Sequence, residues 1–201
     1  MSKSMIYSKK GAFLIENVPV KKLADEYGTP AYVYSKKIIE DTFINFKKSF
    51  IKLNPLVCFA VKANSNIAIL NLLAKQGAGF DIVSGGELKR VIAAKGDPKK
   101  LVFSGIGKSI EEIGLAISHD ILAFNVESEG ELYRIQSIAK SLNKKAAISI
   151  RVNPNVDAKT HPYISTGLKD NKFGVDEKKS IELYLLAKNL DSIVIKGIDC
   201  H

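Results

Sequence analysis

Leu56-Val57-Cys58-Phe59-Ala60-Val61-Lys62-Ala63-Asn64-Ser65-Asn66 consists of six apolar residues, then a lysine, then a polar turn. An apolar run of that length bounded by turn residues reads as a strand buried on both faces, as in a parallel sheet. Lys62 then stands where the strand ends. Partial burial at that point would disfavour the charged amine and leave a nitrogen able to condense with an aldehyde. The competing reading is a strand-end lysine whose ammonium snorkels to water. The rest of the chain has to separate the two.

Five more apolar runs follow, at 79–83, 101–104, 121–126, 146–152 and 193–199, with helix-like segments between them. Ser109 with Glu112, and Ser128 with Glu131, have the spacing of a capping box that opens a helix. In the second helix Leu132, Ile135, Ile138, Ala139 and Leu142 share one face, as packing on a sheet requires. This alternation predicts an α/β protein with a parallel sheet. A doubly wound sheet would carry a glycine-rich turn after its first strand, whereas Ala63-Asn64-Ser65-Asn66 has no glycine. Polar or reactive residues instead recur at strand C-termini: Lys62, Asp81 and Ser84, Ser104, Asn125 and Glu127, Arg151 and Asn153, Asp199 and His201. Function spread over many strand ends is the habit of a (β/α)8 TIM barrel of eight strands and about 250 residues. The prediction is therefore a partial barrel over 35–201, with about six of the eight strands.

Residues 1–34 break the period. Ile6-Tyr7-Ser8 and Ala12-Phe13-Leu14-Ile15 flank a Lys-Lys-Gly turn and read as a hairpin. A short helix from Pro19 to Tyr27 ends at Gly28, and 31–34 reads as one more strand. These pieces are expected to belong to a second, mostly β domain.

Composition narrows the function classes. The chain is 46% hydrophobic and 25% charged, which suits a globular core. Its net charge of +9 is carried by scattered lysines, with Arg90, Arg134 and Arg151 the only arginines. No basic run interleaved with aromatics suggests a nucleic-acid partner. No apolar run approaches the roughly 20 residues of a membrane span, and Met1-Ser2-Lys3-Ser4 lacks the apolar core of a signal peptide. Cys58 and Cys200 adjoin apolar runs and read as reduced, buried thiols of a cytoplasmic protein. His119 and His161 have no acidic or thiol neighbours at metal-ligand spacing. Gly105-Ile106-Gly107-Lys108-Ser109 looks like the tail of a P-loop, but the required upstream glycine falls on Val102. Ser84-Gly85-Gly86-Glu87 could cradle an anion on its amides or simply make a tight turn. A long polar loop spans 153–167, a length that usually accompanies function.

Taken in order, these segments resemble those of barrel-type pyridoxal-phosphate decarboxylases. Phe59-Ala-Val-Lys-Ala-Asn64 resembles the first-strand signature, and Gly79-Phe-Asp-Ile-Val-Ser-Gly-Gly-Glu87 the second. The stretches 151–161, Thr166-Gly167, Lys172-Phe-Gly174 and Gly197-Ile-Asp-Cys-His201 are similar to those of diaminopimelate decarboxylases in particular. The resemblance implies that Lys62 holds pyridoxal 5'-phosphate as a Schiff base and later returns a proton. It further implies that His201 stacks on the cofactor ring, and that Asp81 and Arg151 line the cofactor's side of the barrel. The implied substrate is the small amino acid meso-diaminopimelate, decarboxylated at its D-centre to L-lysine. The resemblance also implies a considerably longer homodimeric enzyme, with the phosphate cup and substrate residues beyond His201 and these residues inactive alone. An alanine racemase, an ornithine or arginine decarboxylase, and a non-catalytic cofactor-binding barrel remain open alternatives.

Overall fold

The computed structural model describes residues 7–9, 12–154, 156 and 173–201. Most of the anticipated loop at 153–167, with His161 and Thr166-Gly167, lies outside the described residues, as does part of the hairpin turn.

The N-terminal strands β1 (Tyr7–Lys9), β2 (Ala12–Ile15) and β3 (Val18–Pro19) form an antiparallel sheet in that order. The hairpin is as expected. Its third strand has only two residues, one of them proline, and so carries no readable period. Helix α1 (Val20–Tyr27) ends at Gly28, whose φ of 80° is the left-handed stop of a C-terminus. The expected strand at 31–34 is absent: the segment pairs with no described strand, and Tyr32 is 93% exposed. β-branched and aromatic content favours extension there, but an isolated strand gains no ladder to offset its ordering. Ser35 then caps α2 (Lys36–Ser49) by accepting the Ile38 amide at 3.1 Å. Ser35 Oγ also donates to Glu16, which accepts the Lys37 amide at 3.1 Å and so ties the small sheet to α2.

Thereafter the chain runs β4 (Cys58–Ala60), α3 (Ile67–Lys75), β5 (Gly79–Ile82), α4 (Gly85–Ala93), β6 (Leu101–Phe103), α5 (Ile110–Ser118), β7 (Ala123–Val126), α6 (Glu129–Ser141), β8 (Ala146–Arg151), α7 (Glu177–Lys188) and β9 (Ile193–Asp199). The six strands are parallel and lie side by side in sequence order, β4-β5-β6-β7-β8-β9. That consecutive order is the winding of a barrel; a doubly wound sheet would reverse at a switch point.

Alternation along each strand sorts the side chains into two faces. Phe80, Ile82, Phe103, Phe124, Ile148 and Ile150 turn toward the helices and are at most 1% exposed. There they join Leu88, Val91, Ile113, Leu132, Ile135 and Leu183 in one core. Register sets Phe103 beside Phe124, and their rings stack at 5.9 Å and 23°. Asp81, Ser104, Asn125 and Ser149 lie on the opposite, inner face, where a packed barrel usually carries Val, Ile and Leu. Small polar residues on that face leave both room and hydrogen-bonding capacity for something else.

Candidate functional site

The inner residues form a continuous chain across four strands. Ser149 Oγ donates to Asn125 Oδ1, Asn125 Nδ2 donates to Ser104 Oγ at 3.0 Å, and Ser104 Oγ donates to Asp81 Oδ1 at 2.6 Å. All donors point one way, so the ladder ends on an oriented carboxylate. One layer nearer the mouth, Arg151 Nη1 donates to Glu127 Oε1 at 3.0 Å, with side chains only 8% and 3% exposed. The Gly105 amide donates to the same oxygen at 3.3 Å. Glu127 Oε2 is buried and has no hydrogen-bond partner among the described residues. Asp199, the register neighbour of Arg151, adds a half-buried carboxyl. Burial pushes its pKa up; Arg151 opposes this, Glu127 and Asp81 reinforce it, and His201 opposes it. These groups therefore share one electrostatic neighbourhood at the strand C-termini.

Lys62 belongs to a one-turn 3-10 segment, Val61–Ala63, immediately after β4. Ala60, two residues earlier, is the register partner of Asp81, so the turn bearing Lys62 starts at the carboxylate end of the ladder. The expected partial burial does not hold: Lys62 is exposed, because nothing described packs over that turn. His201 is likewise exposed, two residues past the end of β9. The structure thus gathers Asp81, Arg151 and Asp199 at one end of the sheet and sets Lys62 and His201 on that rim. Cys58 points inward beneath them, its thiol pushed up to about 11 by burial and then by the charge of Asp81, which suits an unreactive thiol. Cys200, expected to be buried, is exposed, and both cysteines are free.

The two glycine-bearing decoys resolve into internal contacts. The Gly85 amide donates to Glu112 Oε1 at 2.7 Å, so the turn at Ser84-Gly85-Gly86 already holds a protein carboxylate. Lys108 is 4% exposed, and its ammonium donates to Gly105 O at 2.6 Å, Asn125 O at 2.9 Å and Glu131 Oε1 at 2.6 Å. With three donors engaged it has none left for a phosphate. Ser109 and Glu112 do form a reciprocal capping box. Ser128 caps α6 alone: Glu131 bypasses the Ser128 amide, accepting from the Glu127 amide at 2.7 Å and pairing with Lys108. The pairing of Lys108 with Glu131 is invisible in sequence because each residue sits in a different local pattern, and Ser149 carries no motif; burial brings them to notice. A separate cavity of about 670 Å³ lies between α2, α3 and β4. Its lining, including Phe43, Phe46, Phe59 and Leu73, is mostly apolar and contains neither Asp81 nor Arg151. Among the described residues no cluster of three or more His, Cys, Asp or Glu side chains could hold a metal, and no helix is long and apolar enough to cross a membrane.

A strand-end lysine at the polar-lined end of a consecutively wound parallel sheet is the arrangement of a barrel enzyme whose chemistry sits at its strand C-termini. The chain belongs to the pyridoxal-dependent decarboxylases: the model of their pyridoxal-binding domain matches residues 36–201. Among individual relatives, it is 53% identical over 195 residues to the diaminopimelate decarboxylase of Vibrio cholerae, covering 97% of this chain and 47% of that protein. The crystal structure of diaminopimelate decarboxylase from Helicobacter pylori complexed with L-lysine superposes with a TM-score of 0.88 at 49% identity, over 90% of this chain and 46% of that one. The corresponding enzyme from M. jannaschii gives a TM-score of 0.91 at 40% identity, over 98% and 47%. The chain thus spans less than half the length of the relatives it matches.

The residues present fit pyridoxal phosphate at its reactive end. They offer an amine at the rim, an oriented carboxylate and an orphaned buried carboxylate oxygen. The Gly85 and Gly105 amides and the Lys108 ammonium are engaged within the protein and are not free to hold the cofactor's phosphate.

Proposed function

We propose that these residues form the lysine-bearing part of an enzyme that decarboxylates meso-diaminopimelate to L-lysine and carbon dioxide with pyridoxal 5'-phosphate. The reading is carried by Lys62, placed at the barrel mouth beside the Asp81 ladder in a chain 53% identical to a diaminopimelate decarboxylase. When bound, the cofactor supplies the electron sink for the pair left behind as the carboxylate departs. The chain's own residues do the rest. Lys62 would hold the cofactor through Nζ, release it to the incoming substrate amine, and then carry a proton at that nitrogen. Asp81, fixed by Ser104, would present a constant negative charge to the site. Arg151, fixed by Glu127, would present a cation that cannot lose its proton. His201 would lie against the flat face of the ring. Residues 1–34 would belong to a second, mostly β domain and 35–201 to the barrel. The working enzyme would be a cytoplasmic homodimer, as the family resemblance implies.

Borohydride reduction of the full-length protein loaded with cofactor, followed by peptide mapping, tests this directly. The label is expected on Lys62, and diaminopimelate is expected to yield lysine and carbon dioxide. A label on another residue, or carbon dioxide released from ornithine or arginine but not from diaminopimelate, would overturn the assignment.

A further inference from the structure

We propose that Lys108 and Glu131, a buried ion pair, are positioning residues that set the geometry of Arg151 and Asp81; the inference rests on reading the strand-end site as the cofactor's. A buried ion pair is weak as a stabilising device, because desolvation offsets most of the Coulomb attraction. What distinguishes this one is its connections. The Lys108 ammonium binds acceptors on three elements: Gly105 in the loop after β6, Asn125 in β7 and Glu131 in the first turn of α6. The second oxygen of Glu131 accepts the Glu127 amide, while the Gly105 amide donates to the Glu127 carboxylate. Glu127 is therefore fixed at backbone and side chain by two groups that both bind the same ammonium. Arg151 donates its hydrogen bond to that carboxylate, with its guanidinium also resting 5.4 Å from the Phe173 ring.

The second branch runs through Asn125. Its carbonyl binds Lys108, while its side chain accepts from Ser149 and donates to Ser104, which orients Asp81. One ammonium thus anchors both branches. The unpartnered Glu127 Oε2 points the same way: a buried acceptor without a donor costs free energy and persists only where its surroundings prevent it from turning to water.

The test uses the full-length protein with Lys108→Met and Glu131→Leu combined, so that neither buried charge is orphaned and the volume is kept. Thermal melting reports the fold. Modification of Arg151 by a phenylglyoxal in cofactor-free protein, cofactor affinity by absorbance, and kcat/KM report the geometry. The double variant is expected to melt close to the parent. Its Arg151 should be modified about tenfold faster and its cofactor bound about tenfold more weakly, the usual scale for losing an outer-layer partner. Turnover should fall by about 10²-fold, as small misplacements of reacting groups do. Should the double variant not fold, Glu131→Gln alone is expected to move the same readouts in the same direction. A folded variant with Arg151 reactivity and cofactor affinity unchanged would overturn the proposal. Arg151 reactivity is read without cofactor, so it tests the clamp even if the functional assignment fails.

Discussion

Replacing Arg151 by methionine isolates the energetics of the inner ion pair. Without the guanidinium, Glu127 keeps a single amide donor at 3.3 Å and a second oxygen that already lacks a partner, in a side chain only 3% exposed. Removing one member of a buried pair costs roughly 3–5 kcal/mol because the remaining charge is left uncompensated. That is a large share of the 5–15 kcal/mol, roughly, that holds a domain folded. Glu127→Gln alone should also be costly, since it leaves Arg151 buried without its counter-charge. Combining the two removes both charges, so the double variant should recover at least half of the Arg151→Met deficit. Urea unfolding of cofactor-free protein at neutral pH, followed by circular dichroism, measures all four corners of the cycle. Leaving out cofactor keeps ligand linkage from masking the effect. With a denaturant slope of about 2 kcal/mol/M, the Arg151→Met midpoint should fall by roughly 1.5–2.5 M. Additive single effects, or an Arg151→Met loss below about 1 kcal/mol, would refute the claim that Glu127 depends on Arg151 for its compensation.

Two further variants test how the scaffold is tied. Glu112 accepts the Gly85 amide at 2.7 Å and the Ser109 amide at 3.0 Å, and these bonds hold its carboxyl below the usual 4.5. Its contribution is therefore complete above its ordinary pKa and lost as pH falls through the lowered value. Glu112→Ala should cost about 1–3 kcal/mol at neutral pH, and the gap from the parent should narrow in strong acid; a gap independent of pH would count against the bond. Gly79→Ala would place a Cβ 2.6 Å from both Cys58 Sγ and the Lys100 carbonyl. Overpacking of that kind costs typically about 1–3 kcal/mol, so a melt indistinguishable from the parent's would show that β4 and β5 can spread without penalty.

Periodicity made the six barrel strands legible to within two residues at their ends, because apolar runs between polar turns are what a sheet buried under helices requires. The N-terminal region was only half legible: the hairpin has a local pattern, whereas 31–34 has strand chemistry without a strand to join. At the site, Asp81, Arg151, Lys62 and His201 could be placed at strand ends from spacing alone. Which of them are buried could not, since Lys62 and Arg151 look equally charged in sequence and differ entirely in their surroundings. Lys108 shows the limit most clearly. Its neighbours spell the tail of a phosphate loop, yet two of its three acceptors come from residues 17 and 23 positions away, a pairing only the fold reveals. Glu131 was misassigned for the same reason, the local capping pattern losing to a buried partner of opposite charge.

Because every barrel strand lies beside the one made just before it, the wall can be assembled in the order of synthesis, each new βα unit docking on an edge already in place. Such short-range topology avoids the loop-closure entropy that slows long-range pairing. Lys62 emerges from the ribosome early and His201 late, an interval on the order of ten seconds at about 5–20 residues per second. Throughout that interval the nascent amine of Lys62 would wait in solvent for its neighbours.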